Sequence, residues 1–198
     1  FYRYIIHGIE GIIGGIVNIS RSHFYIYPII FIALIFISFL VTKIKKMSRF
    51  CGGSGIPQVE AEIKGYINPN PVKVLLAKIF GGALTALAGF SVGREGPSIQ
   101  IGAMSGKLVS RKLKKNKTVE KFLITCGASA GLAAAFSAPL AGTVFALEEM
   151  NQSFSSAVRL PSMAAAVTAT MVTRYIFGES ALFIFPTMPD STIVLIIP

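Results

Sequence analysis

Acid is what this 198-residue sequence has least of: Asp and Glu together number nine, against nineteen Lys and Arg. Charged residues of both signs make up only 14% of the chain, where a soluble domain carries about a quarter. Cysteine is scarce too, with Cys51 and Cys126 in different apolar contexts. Two such residues support no disulfide framework, and buried free thiols are the default. His7 and His23 stand too far from other ligating residues to suggest a metal site. No nucleophile triad is present, and Gly93-Arg94-Glu95-Gly96-Pro97-Ser98 lacks the Gly-Lys-Ser/Thr ending of a phosphate loop. An enzyme therefore has the least support, and no cofactor is expected. Also missing are an initiator Met and a signal-peptide cleavage pattern, and the sequence stops at Ile197-Pro198 just after another apolar run begins. It reads as an excerpt of a longer chain.

What is abundant is apolar: 53% of the residues are hydrophobic, a membrane composition. The net charge of +10 raises nucleic acid or anionic lipid as a partner, and its distribution decides against nucleic acid. Lys43, Lys45, Lys46 and Arg49 follow one apolar span directly. Lys107, Arg111, Lys112, Lys114, Lys115, Lys117 and Lys121 form a second cluster. Basic residues near the ends of spans mark the cytoplasmic side, so both clusters are assigned there as loops held at the lipid surface.

Helical pieces follow one another along the chain. Residues 1–18 are apolar, with Gly8, Gly11, Gly14 and Gly15 at a spacing that suits close helix packing. A polar turn over 18–23 leads into an uncharged run from Phe24 to Thr42, long enough to cross the hydrocarbon core, with Tyr25 and Tyr27 as its outer anchor. Gly52-Gly53-Ser54-Gly55-Ile56-Pro57 is a glycine break, and the half-length helix after it, through Lys64, is too short to span. Asn68-Pro69-Asn70-Pro71 is a turn, and 72–92 is a second crossing, with Gly81, Gly82, Gly89 and Gly93 for close packing. A helix from the Gly93–Pro97 break runs to about Leu113. Thr118 to Phe136 is Ala- and Gly-rich, including Gly127-Ala128-Ser129-Ala130-Gly131, which in a bundle makes a tight contact face. Ser137-Ala138-Pro139 restarts a shorter helix that ends in Glu148-Glu149-Met150, and a last long segment covers 155–177. A loop over 178–190 is expected outside, with a further span from Ser191. About eight pieces result, two of them broken or short at glycine, and such segments point to a transporter binding site near the midplane.

Three polar features fall in this embedded context. Ser54 reads on its own as a helix cap; its functional reading is a hydroxyl that donates to an anion beside the N–H groups of the glycine break. Glu95 sits between glycines, one residue before Gly96-Pro97, at a break that opens a helix. The bland alternative is a surface carboxylate paired with Arg94, but an intramembrane acid is a functional candidate by default. A helix start also attracts anions, so the carboxylate competes with them for that place. For Glu148-Glu149 the bland reading is a polar helix end. Neighbours on a helix point about 100° apart, so one can face water while the other faces the bundle and carries a proton.

Three motifs together resemble the CLC family of chloride channels and proton-coupled chloride transporters: Gly53-Ser54-Gly55-Ile56-Pro57, Gly93-Arg94-Glu95-Gly96-Pro97, and Ala133 through Gly142 leading into Glu148-Glu149-Met150. The resemblance covers essentially the whole chain but only the first half of the family's membrane domain. It implies an all-α, polytopic transmembrane bundle in which residues 1–198 form the first inverted repeat, with broken and half-length helices. It further implies that Ser54 coordinates chloride, with Gly55, Ile56, Gly93, Arg94, Glu95 and Gly96 completing this half's share of the anion site. Glu95 would be the gating glutamate, and Glu149 the inner proton-transfer glutamate that transporters have and channels typically lack. Serine at position 54 resembles chloride-selective members; nitrate-preferring ones resemble a proline there, and fluoride exporters depart in this loop. The last two helices would supply half of a homodimer interface.

The family's second repeat brings a GxFxP-type helix start and a pathway tyrosine, and neither is present here. The resulting expectation is proton-coupled chloride antiport in a multi-pass protein of a prokaryotic cell membrane, with chloride and protons as cargo. A passive chloride channel, a fluoride/proton antiporter and a membrane scaffold whose polar breaks serve only packing are the alternatives.

Overall fold

Glycines placed four apart on two successive helices set the architecture. The computed structural model describes residues 25–90, 93, 95–151 and 156–178, together with Ile5, Gly8, Ile9, Gly11, Ile13, Gly14 and Gly15. Beyond the helical residues described in the first segment, seven α-helices follow one another among the described residues: α1 (Ile26–Met47), α2 (Ile56–Lys64), α3 (Pro71–Leu87), α4 (Glu95–Lys112), α5 (Lys117–Phe136), α6 (Pro139–Phe145) and α7 (Ser156–Phe177). A short 3₁₀ turn, Arg49–Cys51, precedes α2, and a π-helical turn, Ala146–Asn151, continues α6. No strand occurs among the described residues. The expected turn over 18–23, most of the loop over 178–190 and the span from Ser191 lie outside them.

The centre of the bundle is the pair α4–α5. A Cβ on Gly102 would overlap the carbonyl of Gly127, and one on Gly127 would overlap that of Gly102. Gly106 meets the carbonyl of Leu123 in the same way, and Gly131 that of Ser98. The two backbones therefore touch with no side chain between them, the arrangement small-xxx-small spacing permits in lipid. The tight face expected on Gly127 and Gly131 is the α5 side of this contact; Gly102 and Gly106 form the α4 side. The glycines of the first segment behave differently. A Cβ on Gly8, Gly11, Gly14 or Gly15 would meet nothing within 4 Å, so among the described residues that face is open rather than packed. The segment instead docks through Ile5, Ile9 and Ile13, which pack with Ala83, Ala86 and Ile101 of α3 and α4.

Hydroxyls take over on the other side of α5. Ser129 Oγ donates to the carbonyl of Ser162 on α7 at 3.2 Å, and Cys126 Sγ lies 3.6 Å from Ser162 Oγ. Thr143 of α6 returns its hydroxyl to its own helix, at Pro139 O. A core of Val59, Ile63, Val74, Ile99, Met104, Ile124, Leu132 and Met150 fills the space that α2, α3, α4, α5 and the π turn enclose.

Helix ends follow local chemistry. Helix α1 continues to Met47, five residues past the expected Thr42, because lysines near a helix C-terminus suit its dipole and can keep their heads in water. Helix α3 stops at Leu87 instead of reaching residue 92: Gly89 adopts φ 79°, and the Ala88 and Gly89 N–H groups close back onto Leu84 and Ala86. Its start is as expected, with Asn70 Oδ1 accepting from Val72 N–H ahead of Pro71. By length and composition, two helices among the described residues can cross a membrane, Tyr27–Met47 and Lys117–Phe136.

One member of the second basic cluster is misplaced by a surface reading. Lys107 is completely buried, ion-paired with Glu62 and donating to Asn68 Oδ1 at 2.9 Å and Pro69 O at 2.8 Å. Its neighbour one turn on, Arg111, reaches Asn68 and Glu120. Counting charges along the sequence could not separate a buried lysine from a solvated one, because Glu62 lies 45 residues away. Burial pushes the Glu62 carboxyl above its ordinary range, and the Lys107 ammonium works against that shift.

Two stability tests follow. Gly106→Ala forces the α4 and α5 backbones apart and should cost at least about 1–3 kcal/mol, whereas Gly81→Ala, whose Cβ would find Ile44 at 3.6 Å, should be neutral or slightly stabilising; thermal unfolding in detergent reads both. Lys107→Met strands a buried carboxylate and should cost about 3–5 kcal/mol, while adding Glu62→Leu should recover most of the loss in the same measurement.

Candidate anion site

The glycine break before α2 is shaped by what lies behind it. Gly53 and Gly55 take φ 72° and 105°, values that only glycine adopts without strain, and they turn the chain sharply into the half-length helix. Four successive carbonyl oxygens entering this turn are each held by a buried or half-buried side-chain donor. Gln100 Nε2 donates to Phe50 O at 2.7 Å, and Gln58 Nε2 to Gly52 O at 2.9 Å. Lys78 Nζ donates to Cys51 O at 3.3 Å and to Gly53 O at 2.8 Å. The negative ends of these peptides are thereby engaged by the protein. An anion approaching the break meets less carbonyl repulsion than an untied loop would offer.

Ser54 stands at the exposed edge of the turn. Its Oγ accepts from the N–H of Ile56, the first residue of α2, at 3.2 Å; the N-cap position itself is Gly55, so Ser54 caps the helix from one residue before it. The same bond leaves the hydroxyl proton free to donate elsewhere. Cap and anion donor are compatible roles for one hydroxyl.

Glu95 is the first residue of α4 and is exposed, as is Gly93. Arg94 lies outside the described residues. The contact that joins the two motifs is made by Gly96: it is buried, and a Cβ there would overlap the carbonyl of Ser54. One helical turn further on, the Gln100 side chain lies against Gly55, where an added Cβ would sit 2.7 Å from Oε1. Two motifs forty residues apart in sequence therefore form one surface, with the Ser54 hydroxyl on one edge and the Glu95 helix start on the other.

Glu148 and Glu149 lie on the π turn after α6, and both are exposed on this chain. The expected split, one facing water and one the bundle, is not what the turn produces; Leu147 and Met150 take the buried positions on either side. A π turn packs more residues into each turn than an α-helix, which brings adjacent side chains closer in direction. Met150 packs with Val59 and Ile63, so the acidic turn lies against α2, the helix that begins at the Ser54 break.

Sequence reading missed three residues of this surface: Lys78, Gln58 and Gln100. A signal existed for Gln100, an amide between Ile99 and Ile101 in an otherwise apolar helix face. Lys78 carried none, because a lysine near a span end is ordinary topology.

The family model described as voltage gated chloride channel matches residues 32–198, most of the chain. The chain belongs to this family. Among its relatives, the H(+)/Cl(-) exchange transporter ClcA of Yersinia pseudotuberculosis serotype IB is 32% identical over 181 residues, which is 89% of this chain and 38% of that protein. The ClcA of Salmonella paratyphi B is also 32% identical, over 187 residues, 91% of this chain and 39% of the relative. A slow cyanobacterial Cl-/H+ antiporter has a similar crystal structure, with a TM-score of 0.70, 31% identity, and coverage of 98% of this chain and 49% of that one. A CLC-type fluoride/proton antiporter follows at a TM-score of 0.67 and 25% identity, covering 96% and 47%. This chain spans about two-fifths of the length of those ClcA relatives and half of the solved antiporters. The fold is the all-helical one of CLC membrane transporters.

Proposed function

We propose that residues 1–198 form the first inverted repeat of a CLC-type proton/chloride antiporter, and that the surface joining Ser54 to Glu95 is one wall of its anion pathway. The observation that carries this reading is the packing of Gly96 against the Ser54 carbonyl, which makes a free hydroxyl donor and a helix-start carboxylate neighbours. Ser54, with the backbone of Gly55 and Ile56, supplies donors on one edge; Gly93, Arg94, Glu95 and Gly96 supply the other. Chloride and the Glu95 carboxylate compete for the positive end of α4, where the first N–H groups have no intrahelical partner. Protonation of Glu95 removes its charge and lets chloride occupy the position it vacates. Proton movement in one direction is thereby tied to chloride movement in the other.

Glu149 is the second proton carrier in this scheme. Its turn packs on the half-helix that begins at Ser54, so the inner proton route and the anion wall share α2. The exposed side of this surface is to be closed by the remainder of the transporter, in a homodimer embedded in a prokaryotic membrane. The exchanger names of the ClcA relatives and of the cyanobacterial antiporter support this assignment of cargo.

Reconstituted into liposomes, the full-length protein should drive proton uptake when a chloride gradient is imposed. Glu95→Gln should abolish that proton flux while chloride permeation continues; proton pumping that persists in the variant would remove Glu95 from the mechanism. Glu149→Gln should likewise uncouple the two ions. If chloride uptake by Glu149→Gln still responds steeply to a proton gradient, the inner glutamate lies elsewhere.

A further inference from the structure

We propose that Gln100 is a positioning residue for anion binding: it fixes the place of Ser54 and, through it, the affinity of the site for chloride. The inference rests on the reading of Ser54 as an anion ligand and adds a residue to it. Gln100 is 1% exposed and lies on the same face of α4 as Gly96, four residues earlier. Gly96 receives the Ser54 carbonyl and Gln100 receives Gly55, so the Ser54-Gly55 peptide is gripped between two successive rungs of the helix that begins with Glu95. The spacing between the hydroxyl and the carboxylate is therefore set within α4 itself.

Only one orientation of the amide is tenable. Nε2 faces the Phe50 carbonyl and donates to it at 2.7 Å; the reverse orientation would set two oxygens against each other. In that orientation Oε1 is buried beside Gly55 with no hydrogen-bond partner among the described residues. A purely space-filling role would favour an apolar side chain, which leaves no orphaned oxygen. The residue tolerates the orphan because the Nε2 bond ties the start of the break, Phe50, to α4. With that tie, the turn from Phe50 to Gly55 is held at both ends.

The test uses the full-length protein and chloride itself, with binding read by isothermal titration in detergent. Gln100→Met fills nearly the same volume without the donor, and Gln100→Asn keeps the amide but draws it back by one methylene. Each should weaken chloride binding by about tenfold, the size of one lost hydrogen bond that positions a ligand group. In a Ser54→Ala background, where the positioned hydroxyl is gone, the same substitutions should change affinity by less than about twofold. A merely structural glutamine would instead lower the unfolding temperature and leave the dissociation constant alone. Either folded variant binding chloride within about twofold of the wild type overturns the proposal, as do effects fully additive with Ser54→Ala. Ser54→Ala alone separates the two layers: if it leaves chloride affinity unchanged, the reading of Ser54 fails. If it weakens binding while the Gln100 variants do not, only the role of Gln100 fails.

Discussion

The candidate site is hung on a contact made without side chains. The α4 and α5 backbones meet at Gly102, Gly106, Gly127 and Gly131, each pressed on a carbonyl of the opposite helix. In lipid there is little to gain from hiding apolar surface, so close approach and many weak van der Waals contacts must hold helices together. Helix α4 carries Glu95 and Gly96 at its start, Gln100 after one turn and Lys107 near its end. Fixing that helix fixes all four, and through them the Ser54 break at one end of α2 and Glu62 towards the other.

A half-length helix cannot anchor itself by spanning anything, and α2 shows what replaces that anchor. At its start, glycine-to-carbonyl contact and the Gln100 amide hold it to α4; near its end, the Lys107–Glu62 pair does so. Between these points Val59 and Ile63 are buried in the common core. Such buried polar ties are costly to desolvate and are tolerated where geometry has to be specified. Here the geometry specified is that of two helix starts facing one another.

Much of this could be read from residues alone, where the chemistry is local. The Ser54 break, the Glu95 helix start and the Pro-capped restarts of α2 and α6 are written in glycine and proline, whose backbone demands need no partner. The tight face on Gly127 and Gly131 was legible for the same reason. What escaped depends on partners distant in sequence. Lys107 looks like one more cytoplasmic lysine until Glu62 is found beside it, and Lys78 like a span-end charge until it is seen holding two loop carbonyls. Gly8 through Gly15 stand on the other side: the spacing of a packing face is there, and among the described residues it meets no neighbour.

The glycine contact between α4 and α5 has a consequence for assembly as well. Its partners, Ser98 with Gly131, Gly102 with Gly127 and Gly106 with Leu123, are joined by a single short connection between consecutive helices. Contacts this local close small loops and form early, without waiting for distant segments. During synthesis the hairpin can set as soon as α5 has emerged, so the helix bearing Glu95 gains its partner before later parts of the protein are made.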